Sequence, residues 1–537
     1  MSEFIYRTED IDPAEIVKYF AETAQDRTIV DALKSRNPMV LVGSRGVGKS
    51  FLFRVAEAEL LAKLEADRIF PVYVTFNKSS LIHTNDPEQF QHWMLAKLCN
   101  RIIRALSKTG LLSITPSSLS ILSGGTEITN ELSSTKLEST ASAFEESWKN
   151  PGTSIDVSGI PSLETFKDAI EDICEALNLR RLAIFIDEAA HIFLPDQQRQ
   201  FFTLFRDLRS PYITCNAAVY PGVTSFGDTF QPAHDATLLT VNRDVLAGDY
   251  VRNMREIVEK QANSTVASDM TRNGQNFAVL AYAASGNPRI LLKTLDRAPR
   301  VNSQQVNEVI REYYRTDIWS EHSALVDKYI GHRSMIDWGR RFIENEVLPE
   351  LQRKSAQYLE AERKSTSFFW IQRDAPQAVK EALRLLAYTG IVTEHSTGIK
   401  ATRSEIGIRY MVNLGCLFAL ETTPAATAFR IAKELTPKRM SEYGNAHPAY
   451  QELLVAVPQF DELNMSDILS NQLAMPIGVL DITDWQKERL RSMELNTVGD
   501  VLQASDTKLQ QAYYVGEKRS RRMRNAATAA VYEYLSG

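Results

Sequence analysis

A complete phosphate-binding loop pattern, GxxxxGK[ST], occupies residues 43–50 of the sequence. It follows the apolar run Met39–Val42 and precedes a segment of helical spacing that begins at Phe51. A strand, a glycine-rich turn and a helix N-terminus together present backbone N–H groups to a phosphate chain, and the helix dipole favours its negative charge. This order of elements indicates an α/β fold, and it predicts that the chain binds a nucleoside triphosphate.

The residue types within the loop predict how the nucleotide is held. The glycines let the backbone curl around the phosphates with no Cβ in the way. Lys49 is predicted to place its ammonium on the β- and γ-phosphates, and the Ser50 hydroxyl is predicted to ligate Mg²⁺. The complete predicted nucleotide-binding set is Gly43, Ser44, Arg45, Gly46, Val47, Gly48, Lys49, Ser50 and Phe51.

Two adjacent carboxylates, Asp187 and Glu188, follow the apolar residues 182–186. Five apolar residues without alternation are typical of a strand that is buried on both faces of a parallel sheet. Because ligands bind at the carboxyl ends of such strands, Asp187 is predicted to hold Mg²⁺ and Glu188 to polarise the attacking water. An acidic helix cap is the alternative interpretation, and the presence of the phosphate loop favours the catalytic one.

A third element, GNPR at residues 286–289, lies in a helical stretch where its proline could open a helix. With these three elements in this order, the chain resembles the AAA+ superfamily. Within that superfamily it is similar to the replication-initiator and origin-recognition ATPases and the related STAND signalling ATPases. The resemblance implies that Arg289 is the sensor arginine of a helical lid and reaches the γ-phosphate. It also implies a polar first sensor, usually Asn, Ser or Thr, for which this chain offers Tyr220 at the end of a strand and Asn216 further back.

The resemblance further implies an arginine finger that is inserted into the site of a neighbouring subunit. The segment before the expected fifth strand, residues 226–235, contains no arginine. Arg206 and Arg209, on the preceding helix, are the substitute candidates for this finger. The alternative interpretation is that both are solvated arginines on a helix surface. Hydrolysis activated by an oligomer or a partner protein is therefore left open.

Length and composition limit the class of protein. A chain of 537 residues suggests three to four domains, because hydrophobic cores stop growing near ~250–300 residues. A net charge of −6 argues against a protein that coats nucleic acid over its whole surface, but it permits a local basic face. The four widely spaced cysteines predict neither disulfides nor zinc, and no apolar run approaches the ~18 residues of a membrane span. A cytoplasmic protein without membrane contact is expected.

The predicted organisation begins with an α/β nucleotide-binding domain that carries a Ser/Thr-rich, partly ordered surface insertion. A helical lid, a helical connection with a winged helix, a helical linker and a small all-α module follow. The predicted bounds are 1–245 for the α/β domain, about 109–161 for its insertion, 246–318 for the lid, 319–425 for the connection and winged helix, 426–479 for the linker and 480–537 for the last module.

The winged-helix prediction rests on an amphipathic helix at residues 377–390 and two strand-like pieces, 391–395 and 399–403. These pieces are predicted to form a hairpin that turns at residues 396–398. In the initiator ATPases a winged helix grips duplex DNA, whereas elsewhere it is a protein-contact module. The sequence leaves DNA contact and internal packing equally open.

The last sixty residues predict a helix, a turn-helix at TVGDVL and a hairpin at residues 515–517 that opens a final helix. This order resembles helix-hairpin-helix domains, in particular the C-terminal domain of the bacterial RNA polymerase α subunit. Such hairpins expose backbone N–H groups to a DNA phosphate, and nearby cations steady it. The predicted DNA contacts are Gly516, Lys518, Arg519 and Arg522. A basic face on a protein-docking module is the alternative.

The expected fold is therefore an α/β AAA+ domain with a parallel sheet and a helical lid, followed by winged-helix and helix-hairpin-helix domains. The expected function is an ATP-hydrolysing, Mg²⁺-dependent switch that couples nucleotide state to assembly on DNA, as a homo-oligomer. The alternative is a STAND-like ATPase of a bacterial defence or signalling system that regulates a separate effector protein. The intact Asp187–Glu188 pair argues against a third possibility, a degenerate nucleotide-binding scaffold.

Overall fold

The computed structural model places the chain in two compact units. Met1–Arg272 and Gly286–Arg300 form the first unit, and Asn273–Ser285 and Val301–Gly537 form the second. These units do not coincide with the predicted domain boundaries, which remain a prediction. The residues that the structure describes are 4–76, 82, 88–111, 118–125, 135–149, 152–188, 195–222, 224, 226–227, 229–328, 332–402, 404–456, 473–480 and 482–535.

A parallel five-stranded sheet forms the centre of the first unit, which confirms the predicted α/β fold. Its strand order is β2-β3-β4-β1-β5, so the strand before the phosphate loop lies between β4 and β5. The strands are β1 Met39–Val42, β2 Ile69–Thr75, β3 Arg181–Asp187, β4 Ile213–Val219 and β5 Thr237–Thr240.

The absence of hydrophobic alternation in β3 has a direct structural reason. Its even-numbered residues from Leu182 to Ile186 pack into the core on one face of the sheet. Ala183 and Phe185 pack into a second core on the opposite face. Because helices cover both faces, every position from Leu182 to Ile186 carries an apolar side chain, and Asp187 ends the strand.

The helices of the first unit surround this sheet. The helix α2 begins directly at the end of the phosphate loop, and α13 carries the predicted sensor arginine. The bounds are α1 Ala24–Leu33, α2 Lys49–Ala62, α3 Leu64–Asp67, α4 Gln89–Lys108, α5 Leu119–Leu122, α6 Lys136–Glu146, α7 Leu163–Ala176, α8 Pro195–Asp207, α9 Pro232–Asp235, α10 Tyr250–Glu259, α11 Ser264–Arg272 and α13 Pro288–Arg297.

The described part of the predicted insertion contributes to the core. Leu119 and Leu122 of α5 and Leu137 and Phe144 of α6 are buried in the same cluster as α4. Glu145 of α6 also forms an ion pair with Lys97 of α4. The remaining parts of this segment, residues 112–117, 126–134 and 150–151, lie outside the described residues.

The second unit combines helices with a mixed sheet of strand order β7-β8-β6-β9. Its strands are β6 Phe368–Gln372, β7 Val392–Lys400, β8 Ile406–Val412 and β9 Ser441–Tyr443. Its helices are α12 Gly274–Ala283, α14 Ser303–Glu312, α15 Ile318–Ser323, α16 Leu325–Lys328, α17 Arg333–Arg341, α18 Leu348–Ala361, α19 Gln377–Thr389, α20 Leu414–Phe418, α21 Pro424–Lys433, α22 Tyr450–Ala456, α23 Asp484–Arg491, α24 Val498–Gln503, α25 Asp506–Gln510 and α26 Glu517–Leu535, with π-helical turns at Tyr313–Asp317 and Phe342–Val347.

The predicted turn of the hairpin at residues 396–398 is wrong, because these residues lie inside one strand. Most of the first piece and the start of the second, Ile399 and Lys400, belong to the single strand β7, and β8 is its antiparallel partner. The register shifts on either side of Ser396, so the Ser-Thr-Gly sequence marks an irregularity within a strand. The chain reverses later, where the Ala401 N–H donates to the Glu405 carbonyl. The amphipathic helix before it is present as α19 and ends at Gly390 in a left-handed conformation.

The last part of the second unit has its own apolar core, to which α23, α24, α25 and α26 all contribute. Two reciprocal capping boxes fix the starts of its helices, one formed by Thr483 with Gln486 and the other by Thr497 with Asp500. The helices α23, α24 and α26 lie where the sequence predicts helices, whereas α25 was not predicted, and the helix-hairpin-helix module itself remains a prediction. Within the residues that the structure describes, no helix combines the length and the apolar character needed to cross a membrane.

Asn216, in the middle of β4, connects this strand to α1 and to the amino end of β1, away from the phosphate loop. Its side chain is fully buried, accepts from the Met39 N–H at 3.1 Å and donates to the Leu33 carbonyl at 3.3 Å. Met39 is the first residue of β1, whereas the phosphate loop follows its last residue. Asn216 therefore has a structural role, and Tyr220 is the better candidate for the first sensor.

We predict that Asn216→Ala destabilises the first unit by about 1–3 kcal/mol, because it leaves a buried N–H and a buried carbonyl without a partner. The measurement is the midpoint of thermal unfolding. Thr214→Val on the same face of β4 is the comparison, because it loses a single long hydrogen bond, to the Arg36 carbonyl at 3.4 Å, and should lower the midpoint less. At temperatures below the unfolding transition, the Asn216→Ala variant should bind nucleotide with the wild-type affinity. An unchanged midpoint with lost nucleotide hydrolysis would instead return Asn216 to the active site.

Candidate functional site

The phosphate loop connects β1 to α2, as the sequence predicts. Gly48 has a φ of +105° and is the N-cap of α2, a conformation that a side chain would strain. Gly46 has a φ of +88°, and a Cβ built on it would lie 2.9 Å from the Arg289 Cβ. Two glycines of the pattern are therefore required by backbone conformation, and one of them also by the close approach of α13.

Lys49 folds back onto its own loop. Its Nζ donates to the Gly43 carbonyl at 2.5 Å and to the Ser44 carbonyl at 3.1 Å. The same ammonium lies 4.0 Å from the centre of the Tyr220 ring, so it also makes a cation–π contact. Tyr220 directly follows β4, so its ring brings the end of that strand into contact with the lysine of the loop.

Asn287 and Arg289 hold the next two carbonyls of the loop. The Asn287 Nδ2 donates to the Arg45 carbonyl at 2.8 Å, and the Arg289 backbone N–H donates to the Gly46 carbonyl at 3.4 Å. The Asn287 Oδ1 simultaneously accepts from the Ile290 N–H and so caps α13. One asparagine therefore fixes both the start of the helix and the loop below it.

Arg243 holds the carbonyl of Val47, to which its Nη1 donates at 3.0 Å. Its Nη2 is paired with the Asp26 carboxylate at 2.9 and 2.7 Å, and both side chains are buried. Gly286 packs directly on the Arg243 backbone, since a Cβ at this glycine would lie 2.5 Å from the Arg243 carbonyl oxygen. Arg243 thus joins α1, the phosphate loop and the segment that enters α13.

Five consecutive carbonyls, from Gly43 to Val47, are therefore each bonded to a donor of the protein. Carbonyl oxygens repel phosphate oxygens, whereas backbone N–H groups attract them. Since the protein binds the carbonyls, a ligand at the loop would meet N–H groups in their place, apart from those of Gly43 and Ser44, which donate to the Val219 carbonyl and to the Asn242 Oδ1. The arrangement is suited to an anion.

Burial is the main electrostatic influence on Lys49. It lowers the pKa of the ammonium to about 7; Asp187 opposes this shift, and Arg289 adds to it. An anionic phosphate beside the ammonium would raise that pKa again. Burial thus disfavours the charged form of Lys49, and an anionic ligand at the loop would favour it.

Asp187 ends β3 and is almost fully buried. Its Oδ2 accepts from the Tyr73 hydroxyl at 2.5 Å, and its Oδ1 accepts from the Glu188 N–H at 3.0 Å. Burial, and after it the negative charge of Asp187, raises the pKa of the Tyr73 hydroxyl, which therefore remains a donor. The Arg54 guanidinium lies 3.4 Å from the centre of the Tyr73 ring and holds it in place. Tyr73 thus orients the carboxylate.

Glu188 leaves the strand with a φ of +55°, in the left-handed region that side chains rarely adopt. Burial raises the pKa of its carboxyl group to about 7, with further contributions from Asp187 and Glu9. A carboxyl group with a pKa near the operating pH is suited to general base catalysis. Its side chain lines the same cleft as the phosphate loop.

The N-terminal segment forms another wall of this cleft. The Arg289 Nε donates to the Tyr6 carbonyl at 3.0 Å, and the Ile5 N–H donates to the Gln261 Oε1 at 2.9 Å. Burial and a hydrogen bond with Asp296 raise the pKa of the Tyr6 hydroxyl to about 12. Apolar side chains complete this side of the cleft, among them Ile11, Phe20, Phe51 and Leu292.

The structure brings most of the predicted residues together. Those that line the cleft are Arg45, Gly46, Val47, Gly48, Lys49, Ser50, Phe51, Glu188, Tyr220 and Arg289. Gly43 and Ser44 begin the loop, and Asp187 directly precedes Glu188. Arg206 is engaged within its own chain, since it donates to Asp207 and to the Thr229 carbonyl.

The predicted DNA contacts belong to the other compact unit. Gly516, Lys518, Arg519 and Arg522 are all exposed to solvent there. Four further residues that shape the site were missed by the sequence analysis. Asp26 and Arg243 line the cleft, and Tyr73 and Asn287 hold Asp187 and the phosphate loop by hydrogen bonds. Only Asn287 carried a local signal, because it lies within GNPR and precedes a proline that opens a helix.

Comparison with known proteins places the chain in a family. Solved structures similar to it include the ORC2 protein of Aeropyrum pernix as ADPNP–ADP complexes, with 13% identity over 81% of this chain and 93% of that chain and a TM-score of 0.34. The ORC1 protein of the same organism, in complex with DNA, is 13% identical over 78% of this chain and 93% of that chain, with a TM-score of 0.31. RuvB of Thermotoga maritima is 12% identical over 72% of this chain and 90% of that chain, with a TM-score of 0.26. Such low identities and TM-scores carry no functional conclusion. No curated protein matches the chain significantly. The model of the ORC-CDC6-like family, however, matches residues 4–384, so the chain belongs to the ORC-CDC6-like family.

Proposed function

We propose that the chain is a Mg²⁺-dependent ATPase of the AAA+ type in which nucleotide state controls assembly on DNA. The observation that carries the proposal is the phosphate loop, whose consecutive carbonyls are all bonded to protein donors. Lys49 and Glu188 line the same cleft, and Asp187 directly precedes Glu188. An anion-binding loop beside two carboxylates is the arrangement that phosphoryl chemistry requires.

The residues of the cleft fit a triphosphate. Lys49 has two loop carbonyls as its present acceptors, and it would exchange them for the β- and γ-phosphates. Arg289 donates to the Tyr6 carbonyl from the edge of the cleft, and it would turn from that acceptor to the γ-phosphate. Each exchange replaces a neutral acceptor with a charged one, which strengthens the hydrogen bond.

The residues also fit Mg²⁺, a cation that prefers oxygen ligands. Ser50 lines the cleft, and the Asp187 carboxylate is oriented by the Tyr73 hydroxyl. Ser50 and Asp187 would hold the ion, which supplies neutralisation of the charge on the phosphate oxygens. Glu188 would accept the proton of the attacking water, because its pKa of about 7 allows it to be ionised near neutral pH.

Family membership and the C-terminal module support the association with DNA. The initiator ATPases that the chain resembles act on DNA, and the exposed cations at the start of α26 are suited to phosphate. The alternative of a STAND-like switch with a separate effector gains no support from the matched family. Assembly as a homo-oligomer is part of the proposal.

Glu188→Gln tests the catalytic part of the proposal. The variant should retain ATP binding and ATP-dependent assembly on DNA, while hydrolysis falls by about 10²-fold or more because the general base is lost. Lys49→Ala should instead weaken ATP binding, as measured by calorimetry with Mg²⁺ present. Wild-type turnover in Glu188→Gln would exclude the role that we assign to this residue.

Asn287→Ala tests whether the bond to the Arg45 carbonyl shapes the loop. The loss of one hydrogen bond of about 1 kcal/mol should raise the dissociation constant of ATP about fivefold. Asn302→Ala is the matched control, because Asn302 also caps a helix, α14, through the N–H of the third residue after it. If both variants changed ATP affinity equally, the effect would come from helix capping and not from the loop.

Tyr73→Phe removes the hydroxyl that donates to Asp187 and leaves the ring in place. Since partners that orient a ligating carboxylate contribute to metal affinity, the Mg²⁺ concentration for half-maximal hydrolysis should rise about tenfold. Tyr443→Phe is the control: it removes a buried hydroxyl in the other unit that donates to the Glu346 carbonyl. An unchanged Mg²⁺ dependence in Tyr73→Phe would mean that Asp187 is held without the tyrosine.

A further inference from the structure

Exposed aromatic residues are concentrated at one place in the C-terminal module. Among the aromatic residues whose side chains the structure describes, only Trp485, Tyr513 and Tyr514 are exposed. The two tyrosines are 73% and 71% exposed, values that leave most of each ring in water. The hydrophobic effect disfavours such exposure, so a cluster of exposed rings indicates an interaction site.

The three rings are joined by arginines into one continuous surface, which we call the aromatic surface. The Arg519 guanidinium lies 5.0 Å from the centre of the Trp485 ring and 6.0 Å from that of Tyr514. The ring centres of Tyr513 and Tyr514 are 5.1 Å apart in an edge-to-face arrangement. Arg489 covers Trp485 at 5.7 Å. Cations and aromatic rings thus alternate across this surface.

The backbone holds Tyr514 in an unfavourable conformation. Its φ is +63°, in the left-handed region that suits glycine or asparagine and disfavours a bulky residue. The Arg519 Nη1 donates to the Tyr514 carbonyl at 2.6 Å and so fixes the turn. A strained residue whose ring is mostly exposed gains little from packing, and strain of this kind is typical of binding sites.

The charge around the aromatic surface is positive. Lys518, Arg519 and Arg522 are exposed at the start of α26, directly after the tyrosines. Glu517 and Arg521 neutralise each other in an ion pair on the same helix. A ligand that combines flat apolar faces with negative charge would match both properties of this surface.

We propose that the aromatic surface binds single-stranded DNA, with bases stacked on Tyr513 and Tyr514 and phosphates held by Lys518, Arg519 and Arg522. This inference rests on the DNA association proposed above and specifies the form of DNA. In duplex DNA the base faces are covered by their neighbours, so exposed rings would contribute nothing. In a single strand each base offers a face, and stacking on aromatic side chains is the main source of affinity in such sites.

The test uses the full-length protein with ATP and Mg²⁺ at low salt, and fluorescence anisotropy of a labelled thymidine oligonucleotide and of a labelled duplex. The wild type should bind the oligonucleotide more tightly than the duplex. Tyr514→Gly and Tyr513→Ala should each weaken oligonucleotide binding by about fivefold or more, the value for the loss of one stacked base. Tyr514→Phe should retain binding, because the phenyl ring still stacks.

Tyr514→Gly also separates binding from folding. Glycine adopts a positive φ without strain, and the removed ring is mostly exposed, so the thermal midpoint should not fall. Val479→Ala, an exposed apolar side chain of the same module, is the control and should bind like the wild type.

The outcomes distinguish this inference from the proposed function. Duplex binding as tight as oligonucleotide binding, or wild-type oligonucleotide affinity in both tyrosine variants, would overturn the inference and leave DNA association standing. The absence of binding to either DNA at low salt would overturn both, and it would assign the aromatic surface to a protein partner.

Discussion

The orientation of the phosphate loop depends on where its carbonyls are bonded. A short glycine-rich turn has many conformations of similar energy, and only those with the N–H groups directed inward can bind phosphate. Here one of them is selected by four residues, each of which donates to a different carbonyl of the loop: Lys49, Asn287, Arg289 and Arg243. The glycines make the turn possible, and donors from later parts of the chain determine its shape.

The sequence predicted the elements whose causes are local. The phosphate loop, the strand that ends at Asp187 and the helix that opens at Pro288 each follow from the residue types of one short segment. The absence of alternation in β3 was sufficient to predict burial on two faces, and hence a parallel sheet. Tyr220 was preferred over Asn216 because the sequence places it at the end of the strand. In the structure Tyr220 directly follows β4, whereas Asn216 is the fourth of its seven residues.

The interactions that were missed join residues distant in the chain. Asp26 meets Arg243 across more than two hundred residues, and Tyr73 meets Asp187 through the pairing of β2 with β3. Neither has a spacing that a single sequence reveals. The hairpin error has a different cause, since a Ser-Thr-Gly sequence suits a turn and a β-bulge alike. The pairing of β7 with β8 decides between the two, and that pairing depends on tertiary structure.

The buried Asp26–Arg243 pair has a consequence for how the protein responds to its ionic environment. Mobile ions screen charges in water within about 10 Å at 0.1 M salt, but they screen a buried pair far less. The shape of the phosphate loop is therefore insulated from ionic strength, whereas the exposed cations of the C-terminal module are not. Raised salt in the cell would therefore weaken the proposed binding of DNA by these cations, while the geometry of the phosphate loop persisted.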